Sequence, residues 1–413
     1  MTNAIRGRLL FPLLALVPLS AAGCSAAPQS SEETASSSAE ALEDALFASI
    51  TPLPRKALAC AENQPGVLHP MHCNAQVVTD TSGAVQTSAT PQGYGPTQLA
   101  SAYNIPKSTS TATIALVDAQ DDPDAEADLG TYRAQYGLPP CTTANGCFKK
   151  VNQTGGTTYP APDTGWAGEI MLDIEMASAA CPTCKILLVE ATSADMSDLG
   201  AAVNEAATLG ASVISNSYGG AEDDTNSASD SAYFDHPGVA IFASAGDESY
   251  GVEYPAAGLN VIGVGGTTLK QETNTRGWAE RVWNGSGSGC SAFTSKPAWQ
   301  TTTACANKVV SDLSAIADPN TGVAVYDRYG SGGWAVYGGT SVASPLVASI
   351  FAATGQSKAT AAAVWENPAD FRDITKGNNG TCSPSVLCTA GVGWDGPTGI
   401  GSPVGTKVEK IKL

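Results

Sequence analysis

"GEIMLDIEMASAACPTCKILLVEA", residues 168–191, sets two patterns side by side. Residues 168–181 carry apolar and small side chains with acids at helical spacing, which predicts a buried helix. Residues 185–191 are a continuous apolar run, the pattern of a strand covered on both faces. The same alternation runs outward in both directions. "TATIALVDA" (111–119) predicts a strand ending near Asp118, and "DPDAEADLGTYRAQYG" (122–137) a helix. "MSDLGAAVNEAATLG" (196–210) predicts an amphipathic helix, and "ASVISNSYGG" (211–220) a strand entering a glycine turn. "GVAIFASAGD" (238–247) and "LNVIGVGGTTL" (259–269) add two core strands. This order predicts an α/β fold: a mostly parallel central sheet with helices on both faces, with the active site in loops beyond the strand ends.

The 413 residues allow one large domain or two ordinary ones. With 43% hydrophobic residues a substantial core is expected. Net charge is −18 and only 15% of residues are charged, which argues against nucleic-acid binding, since phosphate contacts need Lys and Arg. An acidic solvated surface is the simple reading of that charge; fewer cations also limit self-repulsion in acid.

Residues 1–24 read as a signal peptide. Arg6 and Arg8 precede the apolar "LLFPLLALVPL" (9–19), too short to span a bilayer as a mature helix. "SAAGC" then ends at Cys24, a lipobox-like site with Ala21 where Leu is usual. Export is therefore expected, as a secreted protein or a surface lipoprotein attached through Cys24. Residues 25–91 read as a Ser/Ala/Glu-rich tether and a short pro-region, and 92–413 as the main domain. Setting Cys24 aside leaves ten cysteines in near-neighbour pairs: Cys60/Cys73, Cys141/Cys147, Cys181/Cys184, Cys290/Cys305 and Cys382/Cys388. Five local disulfides are the simplest expectation for an oxidising compartment.

"YGGTSVASPL" (337–346) carries the nucleophile signal. Two glycines permit a tight turn and close backbone approach, and an apolar helix follows. Ser341 then opens that helix, where free backbone N–H groups and the helix dipole favour a developing oxyanion. Pro345 is expected in the helix's opening turn, where no backbone donor is needed.

A serine nucleophile needs a base. His69, His72 and His236 are the chain's histidines, and none opens a helix beside glycines. Carboxylates remain. Glu169 and Asp173 are four apart, on one helix face, in a largely apolar segment. Two close, partly buried acids do not both ionise easily, so one shared proton is expected. Glu169 is then positioned to accept the Ser341 proton with Asp173 holding it, while Glu175 lies on another face. Asp247, ending a strand after Gly246, is an oxyanion donor when protonated.

The strings "GYGPTQLASAYNIP", "VDAQDDPDAEADLGTYR", "GEIMLDIEMA", "SNSYGG", "SAGD", "GSGCSAFTSKPAWQ" and "GGTSVASP" occur in this order over roughly residues 92–405. In them the chain resembles the sedolisin family, the serine-carboxyl peptidases. The resemblance implies a subtilisin-like three-layer sandwich with glutamate in place of histidine. It implies Glu169 as general base, Asp173 as its partner, Asp247 as oxyanion acid and Ser341 as nucleophile. "SNSYGG" resembles the family strand that pairs with substrate backbone, which makes Ser217, Tyr218 and Gly219 substrate-binding candidates. "FRDITKG" and "TAGVGWDGPTGIGSP" resemble the family's calcium loop. One Ca²⁺ is then expected, held by carboxylates of Asp373 and Asp395 and carbonyls of Ile374, Gly391 and Gly393. Two departures stand out. Residues 25–91 occupy the place of a long folded pro-domain, and Glu248 and Ser249 follow Asp247 where a Ser-Gly pair is common.

The expected activity is that of a monomeric acid endopeptidase acting on proteins and peptides. Two alternatives remain: a His-dependent subtilisin-type protease using Asp118 and His236, and an inactive surface binding module on the same scaffold.

Overall fold

The structure, a computed structural model, describes residues 45–47, 56–60 and 68–411. The signal-peptide, lipobox and most of the tether expectations, Cys24 included, lie outside the described residues. Ile50–Leu413 forms one compact unit; the helical residues 45–47 belong to a separate one, Met1–Ser49.

The strand-like runs form one sheet. In chain order its members are β4 (Thr113–Ala119), β5 (Phe148–Asn152), β6 (Lys185–Ala191), β7 (Val213–Asn216), β9 (Ala240–Ser244), β11 (Ile262–Gln271), β12 (Trp278–Val282) and β13 (Leu313–Ile316). They lie in the order β12-β11-β9-β7-β4-β6-β5, with β13 also paired to β11. Only β12 runs antiparallel to its neighbour. Registers such as Ile114↔Ile186 and Ile114↔Val213 keep apolar residues abreast at the centre. Residues 114–119 and 186–191 are buried throughout, so both faces of the sheet are covered.

Three helices connect and cover these strands: α1 (Ala125–Gln135), α2 (Thr164–Ala180) and α3 (Met196–Thr208). A fourth, α4 (Thr340–Ala353), packs on α2 and across β7, β9, β11 and β13. Its side chains are all buried, and each Leu, Ile or Val there contributes about 1.5–3 kcal/mol by leaving water. From β4 the chain first builds toward β5, then returns and builds toward β11. The reversal lies beside β4, whose far end carries Asp118, and that is where such sheets open a crevice.

Two smaller sheets flank the crevice. One joins β1 (Lys56–Leu58), β3 (Gln76–Val78), β15 (Gly333–Gly338) and β14 (Val323–Asp327) in the order β1-β3-β15-β14. The other joins β2 (His72–Cys73), β8 (Tyr218–Ala221) and β10 (Glu253–Tyr254) in the order β10-β8-β2. Neither was visible as a sheet in the sequence, because several of these strands have only two to four residues. All five expected cystines form.

Candidate active site

Ser341 is the second residue of α4. Gly339, just before the helix, has φ +99°, and a Cβ there would stand 2.2 Å from the Asn74 carbonyl oxygen and 2.6 Å from Asp247 Oδ2. Both the conformation and the space demand glycine. The Ser341 N–H, free of the helix ladder, donates to Asn74 O at 2.9 Å. Its hydroxyl donates to Ser217 O at 3.1 Å. Pro345 corrects the expectation placed on it. It is the sixth helical residue, inside the helix, so it removes an interior bond, the one that would reach the Ser341 carbonyl.

Asp163 caps α2, accepting from the N–H groups of Gly165 and Trp166 at 2.9 and 3.0 Å. Everything from Trp166 to Ala180 is buried, so Glu169 and Asp173 project into a dry interior. Asp173 Oδ2 accepts from Ser217 Oγ at 2.9 Å. Glu169 makes no bond of ordinary hydrogen-bond geometry, although Ser341 and Asp173 stand near enough to favour its charged form. Asp118 completes the group: one oxygen each of Asp118, Glu169 and Asp173 lie within 4.8 Å of one another. Burial, then the charge of Asp118, pushes both Glu169 and Asp173 well above the usual carboxylate range. Burial raises Asp118 itself to about 7. The cluster therefore carries fewer negative charges than it has carboxyls at acidic and neutral pH.

Asp247 follows β9 and reaches Thr340, the residue before Ser341. Its Oδ1 accepts both the backbone N–H of Thr340, at 2.7 Å, and the Thr340 hydroxyl, at 2.9 Å. Its Oδ2 is buried without a partner and borders the same small space as the Asn74 carbonyl. Burial raises this carboxyl to about 7, against the pull of the Thr340 bonds. Below that pH the proton belongs on Oδ2, since Oδ1 already accepts two donors. Asp247 is then a hydrogen-bond donor aimed beside the Ser341 N–H.

The strand candidates lie alongside. Ser217 O takes bonds from Ser341 Oγ and from Asn74 N, the latter at 3.1 Å. Tyr218 and Gly219 sit in β8, opposite Cys73 and His72 of β2. Tyr218 is fully buried and its hydroxyl donates to Asn216 Oδ1 at 2.8 Å. The Glu253 side chain lies over Gly219 and Gly246, where any Cβ would collide with it. Asp118 and His236 are not bonded to each other: His236 Nε2 is paired with Asn204 Oδ1 at 2.8 Å.

The sequence reading did not bring Asp118 to Glu169, nor see Thr340, Glu253 or Asn74 at the site. Only Asp118 had a signal, as the polar end of an apolar strand.

The calcium candidates form a separate loop. Asp373 Oδ2 accepts from Gly393 N at 2.8 Å, and Asp395 Oδ2 from Gly391 N at 3.2 Å. Asp395 is fully buried; desolvation is the largest cause raising it to about 7, and the Asp373 charge adds to this. No ion pair to either acid is formed among the described residues. A buried carboxylate beside a second acid, with no cationic side chain, is a donor set that fits a hard cation.

The sequence model of the subtilase family matches residues 154–383. Kumamolisin of Bacillus sp. (strain MN-32) is 32% identical over 79% of this chain and 65% of its own length. Sedolisin of Pseudomonas sp. (strain 101) is 27% identical over 81% of this chain and 63% of its own length. The chain thus spans somewhat under two thirds of these relatives. Among solved structures, Pseudomonas sedolisin (serine-carboxyl proteinase), complexed with two molecules of pseudo-iodotyrostatin, superposes with a TM-score of 0.67 at 26% identity. That match covers 78% of this chain and 98% of the other. A lanthipeptide protease shares the fold, with a TM-score of 0.50 at 16% identity over 79% of this chain and 99% of its own. The chain belongs to the subtilase family and, within it, to the sedolisin group.

Proposed function

We propose that this protein is a serine-carboxyl endopeptidase that hydrolyses protein and peptide substrates at acidic pH outside the cytoplasm. The observation that carries this is the placing of Ser341 at a helix start between two acid centres. On one side stand Glu169, Asp173 and Asp118; on the other, Asp247 has a single unpartnered oxygen.

The chemistry follows from that placing. The Ser341 hydroxyl leaves the Ser217 carbonyl, gives its proton to Glu169 and attacks the substrate carbonyl carbon. Asp173, itself held by Ser217 Oγ, keeps Glu169 oriented. The Ser341 N–H and protonated Asp247 Oδ2 stabilise the oxyanion. Glu169 returns the proton to the leaving amine, and water, activated by the same carboxylate, clears the acyl-enzyme. Ser217, Tyr218 and Gly219 present strand edge to the substrate backbone.

Asp373 and Asp395, with the carbonyls of Ile374, Gly391 and Gly393, would hold one Ca²⁺, which would neutralise the paired acids and fix the loop. The five cystines suit an oxidising, extracytoplasmic setting, as a secreted or Cys24-lipidated protein acting as a monomer.

The test is hydrolysis of a denatured protein at about pH 4, read by mass spectrometry, with melting curves to verify folding. Glu169→Gln and Ser341→Ala should each abolish it and His236→Ala should not. Activity surviving in Ser341→Ala, or lost in His236→Ala, overturns this assignment. An aldehyde peptide that fails to label Ser341, with no proteolysis at any pH, favours the inactive binding module.

A further inference from the structure

Helix α2 has a second acidic face. Successive helical residues turn by about 100°, so Glu175 points about 200° away from Asp173 around the helix. Glu175 is completely buried. Its Oε2 accepts the backbone N–H of Tyr326 at 3.0 Å, and its Oε1 has no partner. Tyr326 lies in β14, which pairs with β15 in the register Tyr326↔Trp334 and Val323↔Tyr337. β15 ends at Gly338, and only Gly339 and Thr340 stand between it and Ser341. The helix that carries Glu169 is thus bonded to the hairpin that leads into Ser341.

Two further contacts fasten the same pair of elements. The Tyr337 hydroxyl rests against Gly168, where a Cβ would stand 2.5 Å from it. From the hairpin side this hydroxyl is bonded to Ser331 Oγ at 2.7 Å and lies 3.5 Å from Asp327 Oδ2. Gly330, in the hairpin turn, lies against the start of α2, where a Cβ would stand 2.3 Å from Thr164 O. Asp327 shapes that turn by accepting the N–H groups of Gly330 and Ser331, both at 2.7 Å. Helix α1 packs on the hairpin as well. Asp128 Oδ2 accepts the Arg328 N–H at 2.7 Å, and Trp334 packs among Tyr132, Tyr136 and Tyr326. The groups that face Glu175 are Asp128, Tyr132 and Tyr136 from α1, Asp327 from the hairpin and Asp122 from the segment after β4. Arg328 brings a cation to this side, but it is half exposed and its guanidinium is paired with Asp124 at 2.9 Å. Burial first, then the charges of Asp128, Asp327 and Asp122, outweigh the Tyr326 bond and push Glu175 well above the usual carboxylate range. Glu175 is therefore a neutral acid whose carbonyl oxygen serves Tyr326.

We infer that Glu175 is a positioning residue for catalysis: through its bond to Tyr326 it sets the distance between Glu169 on α2 and Ser341 beyond β15. This rests on the peptidase reading above. The Ser341 hydroxyl donates to Ser217 O, and Glu169 makes no bond of ordinary geometry, so no direct bond fixes the gap between them. The packing of the two elements fixes it instead, and Glu175 supplies a polar bond between them away from the crevice. Without that acceptor the Tyr326 N–H is left unpaired in a dry interior, and the hairpin shifts to find another partner. Proton transfer from Ser341 to Glu169 is steep in their separation, so an error of about 1 Å costs about 10²-fold in rate. On the same reading the substrate backbone is held at and beside β8, in another sheet, so the loss falls on kcat and not on KM.

The experiment measures kcat and KM of the full chain at about pH 4, well below the melting point of each variant. The probe is a quenched fluorescent peptide copied from a site that the wild type cuts in a denatured protein. Glu175→Leu, which fills the space and removes the acceptor, should lower kcat by about 10–10²-fold and leave KM within about twofold. Glu175→Gln keeps a neutral carbonyl acceptor for Tyr326 and should restore kcat to within about threefold of wild type. Gly168→Ala decides the matter where Glu175→Leu does not fold, because its methyl group pushes Tyr337, and with it β15, away from α2. Its kcat should fall with KM unchanged, and adding Tyr337→Phe, which removes the clashing oxygen, should recover part of the loss. Wild-type kcat in Glu175→Leu, or in Gly168→Ala where that variant decides, overturns this inference and leaves the peptidase reading standing. So does a Glu175→Gln as impaired as Glu175→Leu. A change in KM alone assigns Glu175 to substrate binding and overturns it too. A wild type that cuts nothing overturns both readings.

Discussion

Thr340 binds Asp247 through two donors, its backbone N–H at 2.7 Å and its hydroxyl at 2.9 Å, and both fall on Oδ1. The residue next to Ser341 thereby fixes which oxygen of the acid stays free. The Thr340 hydroxyl also accepts from Gly246 N at 3.2 Å, so it is itself locked. A carboxyl held this way donates only while protonated, so the proposed oxyanion role confines it to pH values below its titration near 7.

Asp247→Asn tests this directly. The amide oxygen can keep both Thr340 bonds while the amide nitrogen replaces Oδ2 as a donor at every pH. The alkaline limb of kcat/KM, expected near 7 in the wild type, should move upward or disappear in Asp247→Asn. Asp247→Ala should lose about 10²–10³-fold in kcat. An alkaline limb unchanged in Asp247→Asn would assign it to another group.

Stability should favour acid as well. Burial raises Asp122 and Asp247 to about 7, whereas an unfolded aspartate titrates near ~3.9. Their folded pKa is the higher one, so the native state binds more protons between these values. Their contribution is complete below the unfolded pKa and is lost as pH rises through about 7. A three-unit shift corresponds to about 4 kcal/mol for one group, as an upper figure. Glu280 acts oppositely: burial pushes it up, but Arg276 and the hydroxyls of Thr267 and Ser402 outweigh burial and lower it. Its contribution is lost only as pH falls below the ordinary glutamate range. Calorimetry should therefore find a higher Tm at about pH 4.5 than at about pH 7.5; the reverse order would refute the assignment.

The legible parts of this molecule are those whose signals are local. Apolar runs such as Lys185–Ala191 declare buried strands because burial on both faces needs continuous apolar side chains. The four-residue spacing of Glu169 and Asp173 places them on one face of α2 without any tertiary information. The near-neighbour cysteines close short loops, and all five pairs form. What stayed hidden depends on contacts distant in sequence. Asn74 reaches Ser341 through strands of two and three residues, too short to show a period. Asp118 joins Glu169 only because β4 sits where the sheet order reverses. Pro345 was misplaced because helix α4 accepts it one turn deeper than the backbone rule favours, in a segment whose burial outweighs one lost hydrogen bond.

Asp118 should set the acidic limb. Its charge is among the causes that raise Glu169, second only to burial. Asp118→Asn keeps the shape and takes one titrating carboxyl out of the coupled cluster, so the charge the cluster carries falls on Glu169 and Asp173 alone and Glu169 should ionise at lower pH. The acidic limb of kcat/KM should move down, and kcat should fall because a less basic carboxylate is a poorer proton acceptor. A limb that moves up, or a variant inactive with an unchanged limb, would contradict a role through Glu169.

The C-terminal loop predicts a metal dependence of stability separable from catalysis. Asp395 is buried, and the Asp373 charge opposes its ionisation, so at neutral pH the loop stores repulsion that a dication would remove. Binding to the native state alone at one hundred times Kd would add about 2.7 kcal/mol. Unfolding entropy grows with size, so in a domain this large each kcal/mol moves Tm by about 1–2 °C. Exhaustive chelation should lower Tm by several degrees, and added Ca²⁺ should restore it with a midpoint that titration calorimetry reproduces. Asp395→Asn should show a Tm indifferent to chelator and calcium alike. Because the Ser341→Ala variant has an intact loop, it should respond to Ca²⁺ as the wild type does, which allows the measurement without self-digestion. A Tm unaffected by chelator in Ser341→Ala would remove calcium from this loop.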